Sequence, residues 1–120
     1  MSKVVAKKWL PNQTAALGHT DLFTSSEGGD YRISAYLAVD DTSGSSVAFI
    51  FGWVDEYRDE FGLVSGAAVT ANPASYKASD VSIVVHVKPN STIYLDESGT
   101  PTTPKYSLYV TIEELSGPQF

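Results

Sequence analysis

Residues 28–44 read "GGDYRISAYLAVDDTSG", and this stretch decides the fold. Two glycines open it. Apolar and polar residues then alternate with a period of two. Two acids, a Thr-Ser pair and a glycine close it. Tyr31, Ile33, Ala35, Leu37 and Val39 share one face, and that face is apolar throughout. Arg32, Ser34, Tyr36, Ala38 and Asp40 share the other. Successive strand side chains point to opposite sides, so the pattern predicts a strand with its first set on a core. Asp, Ser and Gly after Val39 predict a turn, because short polar side chains bond nearby amides and glycine accepts positive φ.

The same reading extends along the chain. "KVVAKKWL" (3–10) is a first strand or an N-terminal arm, ended by Pro11 and Asn12. "HTDLFT" (19–24) is a short strand. "SVAFIFGWV" (46–54) is apolar on both faces, which predicts a central strand covered on both sides. "EYRDEFG" (56–62) reads as a charged loop, "LVSGAAVT" (63–70) as a weaker strand and "ANPASYKAS" (71–79) as a loop. "DVSIVVHVK" (80–88) places Val81, Ile83, Val85 and Val87 together. Pro89 and Asn90 turn the chain into "STIYLDE" (91–97). "KYSLYVTIEEL" (105–115) places Tyr106, Leu108, Val110 and Ile112 inward. About eight strands at hairpin spacing, with no helical period, predict an all-β fold: a single antiparallel β-sandwich or barrel. The expected division is an arm or first strand at 1–10, a domain at 11–115 and a tail at 116–120.

Composition removes several functions. The chain has 120 residues and no cysteine, which suits one domain without disulfides. Net charge is -6, and only eight residues are Lys or Arg, so a nucleic-acid groove is not expected. Three of those eight, Lys3, Lys7 and Lys8, lie in the first eight residues, and the remainder is more acidic than the average. "KVVAKKWL" is too short and too basic for a signal peptide, and no stretch is long enough to span a bilayer. The expectation is a protein made in a cytoplasm and used there, or carried out as part of an assembly.

Candidate chemistry is sparse. His19 and His86 are the two histidines. Asp21 follows His19 by two, so the pair shares a strand face. A general base needs an oriented partner and a nucleophile, and no G-x-S-x-G elbow is present, so polar residues on a sheet face are the plainer reading. No zinc spacing exists. The acidic turns "DDTSG" (40–44) and "DEYRDE" (55–60) flank one strand and so lie at its opposite ends, which opposes a shared calcium site. Carboxylate pairs for glycoside hydrolysis, Glu56 with Glu60 or Glu97 with Glu113, have no support in spacing. Thus no catalytic, metal or cofactor-binding residue is assigned. "EGGD" precedes a strand rather than a helix, so it is no phosphate loop.

Aromatics carry more. Tyr36, Tyr57, Tyr76, Tyr94 and Tyr109 fall at outward or loop positions, which suits sugar stacking or protein interfaces as well as ordinary sheet packing. Tyr36 and Tyr109 stand on the outward face of long strands, where a subunit interface explains both. Tyr57 and Tyr76 are the candidates for glycan contact.

Three segments, 12–39, 81–95 and 106–115, together resemble small β-sandwich proteins and domains of tailed-phage particles. The shared pattern is a short L-F-T strand (Leu22 to Thr24), a G-x-Y-R-x-S-x-Y-L strand (Gly29 to Leu37), a hairpin from Ser82 to Tyr94 and a closing strand from Tyr106 to Leu115. The middle, 41–80, matches poorly, and "SSEGG" replaces a turn that often carries Pro and Ala. The layout is also similar to the jelly roll of tumour-necrosis-factor-like trimers. The resemblance implies a jelly-roll-like sandwich and a non-enzymatic virion part: a capsid decoration protein, head fibre or tail module. It implies a homo-oligomer, with a trimer favoured, that binds the major capsid or other virion proteins. On this view Lys3, Lys7, Lys8 and Trp9 dock the segment 1–10 onto an acidic, partly apolar capsid surface. The competing reading is a carbohydrate-binding module. A small hydrolase is the third class.

Overall fold

Period-two burial runs through the long strands as the sequence predicts. The computed structural model describes residues 2–13, 18–39, 47–55, 61–62, 68–71, 78–98 and 106–115. These contain nine β elements: β1 (Ser2–Gln13), β2 (Thr20–Ser25), β3 (Gly29–Val39), β4 (Val47–Trp53), β5 (Phe61–Gly62), β6 (Ala68–Ala71), β7 (Ala78–Val87), β8 (Ser91–Ser98) and β9 (Tyr106–Leu115). No helix occurs among them.

Two antiparallel sheets form the molecule. The first has the order β1-β9-β3-β7. The second has the order β2-β8-β4-β5, and β6 also pairs with β4. The chain therefore changes sheet at almost every connection, the interleaving of a jelly roll. In β3, Tyr31, Ile33, Ala35, Leu37 and Val39 are all buried, and in β9 so are Tyr106, Leu108, Val110 and Ile112. Across the sandwich they meet Phe49 and Phe51 of β4 and Ile93 and Leu95 of β8. Each fully buried side chain of this size contributes about 1.5–3 kcal/mol, so this one layer accounts for most of the driving force.

The segment 3–10 takes the first-strand alternative: β1 runs antiparallel to β9 from Ser2↔Leu115 to Gln13↔Tyr106. Four expectations change. First, Pro11 and Asn12 do not end β1. The ladder absorbs them as a register shift between Leu10 and Gln13, with Asn12 at φ 54°. Secondly, the segment from Ser82 to Tyr94 is not a hairpin. β7 joins the first sheet and β8 the second, with Asn90 turning the corner at φ 65°. Thirdly, Phe61–Gly62 inside the charged loop forms β5, paired to Gly52 and Trp53. Fourthly, β4 is central in its sheet but only partly covered on its outer side, where Ala48 and Ile50 are half-buried. Gly52 is buried there because the Tyr94 ring lies over it, at a distance that leaves no space for a Cβ. Residues 56–60 and 72–77, with Glu56, Tyr57, Glu60 and Tyr76, lie outside the described residues, as do residues 40–46, where the sequence predicts a turn.

Candidate interaction face

Strand order turns separate outward residues into rows. Directly opposed residues on neighbouring strands point the same way. Trp9 opposes Tyr109, and Tyr109 opposes Tyr36, which opposes Asp80. The next row is Lys7, Thr111, Ser34 and Ser82. Beyond it lie Val4, Glu113, Arg32 and Val84. Together these rows make up the outer face of the first sheet.

The first row is an aromatic ladder. Trp9 and Tyr109 meet edge-on, centroids 6.0 Å apart at 80°, and Tyr109 and Tyr36 lie 6.4 Å apart at 35°. Such pairs add roughly 0.5–1.5 kcal/mol beyond area alone. Lys7 Nζ caps the Trp9 ring at 4.8 Å from its centroid, a cation–π contact. Beside the ladder the small side chains of Ser34, Ser82 and Thr111 leave a shallow depression of about 390 Å³. The rings are inclined to one another, so they do not form the flat platform that suits stacked sugars.

Exposure picks out the same face. Among the described residues the large apolar side chains left in water are Val4 (48%), Trp9 (56%), Tyr36 (47%) and Val84 (57%). All four stand on the outer face of the first sheet. None stands on the second. The sequence had singled out Tyr36, Tyr109 and Trp9, the last as part of an arm, and the structure brings the three together. Val4 and Val84 were missed. Their signal was available: each is a valine at an outward position of an alternating strand.

The candidate lysines separate. Lys3 pairs with Glu114 at 3.7 Å in an exposed contact. Lys7 caps Trp9. Lys8 opposes Val110, a residue turned into the sandwich, so Lys8 points inward.

The histidines are polar sheet-face residues with acid partners. His86 Nδ1 lies 2.7 Å from Asp30 Oδ1 across the β3–β7 ladder. His19 lies between two acids, with Nδ1 2.8 Å from Asp96 Oδ1 and Nε2 3.1 Å from Asp21 Oδ1. Its ring stacks on Tyr94 at 4.8 Å. The bond to Asp96 raises the His19 pKa above 6.5, desolvation opposes this, and Asp21 adds to the rise. Glu113 meets Arg32 at 3.5 Å, and the Glu97 side chain lies outside what the structure describes. Among the described residues no group of three or more His, Cys, Asp or Glu is placed to hold a metal ion. No helix there is long and apolar enough to cross a membrane.

No protein-family model and no curated protein matches the chain. Solved structures do. The globular domain of zebrafish complement 1qA protein aligns with TM-score 0.60 and 10% identity, over 94% of this chain and 98% of that one. Eiger TNF from S. frugiperda aligns with TM-score 0.56 and 8% identity, over 98% and 96%. Murine APRIL aligns with TM-score 0.53 and 11% identity, over 93% and 98%. The chain thus has a TNF/C1q-like jelly-roll β-sandwich fold. At these identities the likeness speaks for the fold alone.

Proposed function

We propose that this chain is a non-enzymatic structural protein that works as a homo-oligomer, a trimer by its layout, held through the outer face of the first sheet. The particle it serves is that of a tailed phage, where it decorates the capsid and binds other virion proteins after synthesis in the host cytoplasm. One observation carries the assembly: Trp9, Tyr109 and Tyr36 form a continuous aromatic row on one face, with Trp9 and Tyr36 about half exposed. A monomer scatters such residues singly, whereas a contiguous patch marks an interaction surface. Trp and Tyr at its centre are the residue types that dominate interface energies. The virion assignment is supported by the phage-like pattern at 12–39, 81–95 and 106–115.

Light scattering on a sizing column tests the assembly. The wild type should elute with the mass of three 12.9 kDa chains. The double variant Trp9→Ser/Tyr36→Ser should elute as a folded monomer, with a lower melting temperature because both ring contacts to Tyr109 are lost. A wild type that stays monomeric at high concentration would overturn the assembly, as would a double variant that keeps the wild-type mass.

A further inference from the structure

A second feature lies at the opposite side of β1, facing the interior. β1 and β2 are end strands of their respective sheets. Both carry register shifts, between Val4 and Ala6 and between Asp21 and Phe23. Between them is a cavity of about 190 Å³ bounded by Ala6, Lys7, Lys8, Asp21, Leu22, Val110 and Ile112. A dry protein cavity of roughly 150 Å³ takes a benzene-sized guest, so this one has the size of a six-carbon ring or chain.

One wall of the cavity is apolar, and Lys7, Lys8 and Asp21 bring charge to the rest of its lining. Val110 and Ile112 are each only 1% exposed, and Leu22 packs against the same core. Lys8 enters from β1 at an inward position. Inward positions of β3 and of β9 from Tyr106 to Ile112 are apolar. Among the described residues no carboxylate pairs with the Lys8 ammonium. Asp21 at the rim is already engaged by His19 at 3.1 Å. A cation that has given up part of its hydration beside an apolar wall is matched by an anion with an apolar body.

We infer that the gap between β1 and β2 binds a small amphipathic carboxylate. The carboxylate pairs with Lys8, and a body of about six carbons lies against Leu22, Val110 and Ile112. This does not depend on the assembly proposed above. The plainer role for an inward lysine on an end strand is to deter edge-to-edge pairing, and that role needs no ligand.

Hexanoate is the probe, titrated into the full chain while the methyl signals of Leu22, Val110 and Ile112 are followed by NMR. Hexan-1-ol and hexylammonium are the controls. Hexanoate should shift these methyls saturably with a Kd of about 1 mM or tighter. Lys8→Met keeps the stem and removes the charge, and should weaken binding about tenfold or more, a factor typical of losing a charge-assisted bond. Leu22→Phe fills the cavity and should abolish binding, which keeps the test decisive if Lys8→Met folds poorly. The site is refuted if the methyls do not move, if the alcohol or the amine binds as well as hexanoate, or if a folded Lys8→Met variant binds like the wild type.

Discussion

His19 shows how a single residue joins two strands. Both ring nitrogens face carboxylates, and an imidazole donates from both only when protonated. The protonated form therefore ties the entry of β2 to β8. Tyr94 supports the ring from beneath, and it lies flat only because residue 52 is a glycine. The sequence showed half of this site: His19 and Asp21 are two apart and share a face. Asp96 is 77 residues away and was invisible without the β2–β8 pairing. The raised pKa fixes the sign of a pH effect. A group whose folded pKa exceeds its unfolded value stabilises fully below the unfolded value, here 6.5, and loses that contribution as pH rises through the folded value. The wild type should therefore melt above His19→Gln at about pH 5.5, with the two converging by about pH 8.5. Melting curves at both pH values check this. A gap that stays constant or widens toward alkaline pH would remove the ionic role of His19.

At the scale of elements, alternation made β3, β7 and β9 legible together with the correct inward faces, because period-two burial is a local property. It did not reveal partners. β7 and β8 look like a hairpin in sequence yet belong to different sheets, and the reason lies in hydrogen bonds that cross from one turn to another. Asn90 N–H donates to the Ser25 carbonyl at 2.6 Å, which fastens the β7–β8 corner to the end of β2. Ser25 Oγ accepts from Gly28 N–H at 2.8 Å and bonds the Tyr31 hydroxyl at 2.7 Å. Gly28 sits at φ 77°, and a Cβ there would press on the Val87 carbonyl at 2.7 Å, so this corner needs glycine. Ser25 is 2% exposed and Tyr31 is equally buried. Ser25→Ala leaves the Tyr31 hydroxyl and the Gly28 amide without this partner, and should lower stability by about 1–3 kcal/mol, the penalty for an unsatisfied buried group. Tyr31→Phe removes one partner and leaves Ser25 bonded to Gly28, so its loss should be smaller. Adding Tyr31→Phe to Ser25→Ala should restore part of the loss. Urea denaturation of the three variants measures this. A neutral Ser25→Ala would mean that the corner is held by backbone alone.

At the scale of the whole molecule, the interaction face exists only through sheet order. Tyr36 and Tyr109 were marked by standing outward on long strands, but Trp9 joins them because β1 pairs with β9 and β9 with β3, a fact no periodicity contains. The same order makes the basic start of the chain an end strand of the sheet rather than a free arm, so deleting residues 1–10 would remove structure along with charge. Charge then distinguishes two kinds of contact. Each chain carries -6, so copies brought together repel, and three of its eight cations lie on β1. Self-association through the Trp9–Tyr109–Tyr36 ladder works against that repulsion. Salt shortens the screening length from about 10 Å at 0.1 M to about 3 Å at 1 M, so oligomerisation should strengthen as salt rises. Docking of the outward Lys7 onto an acidic partner should do the opposite, weakening with salt and with Lys7→Glu. Sedimentation equilibrium in about 0.1 M and about 1 M sodium chloride separates the two for the chain alone. A tighter oligomer at high salt places the apolar ladder at the subunit contact. A tighter oligomer at low salt would mean that the lysines of one copy meet the acids of the next, and that the ladder is not what holds the subunits together.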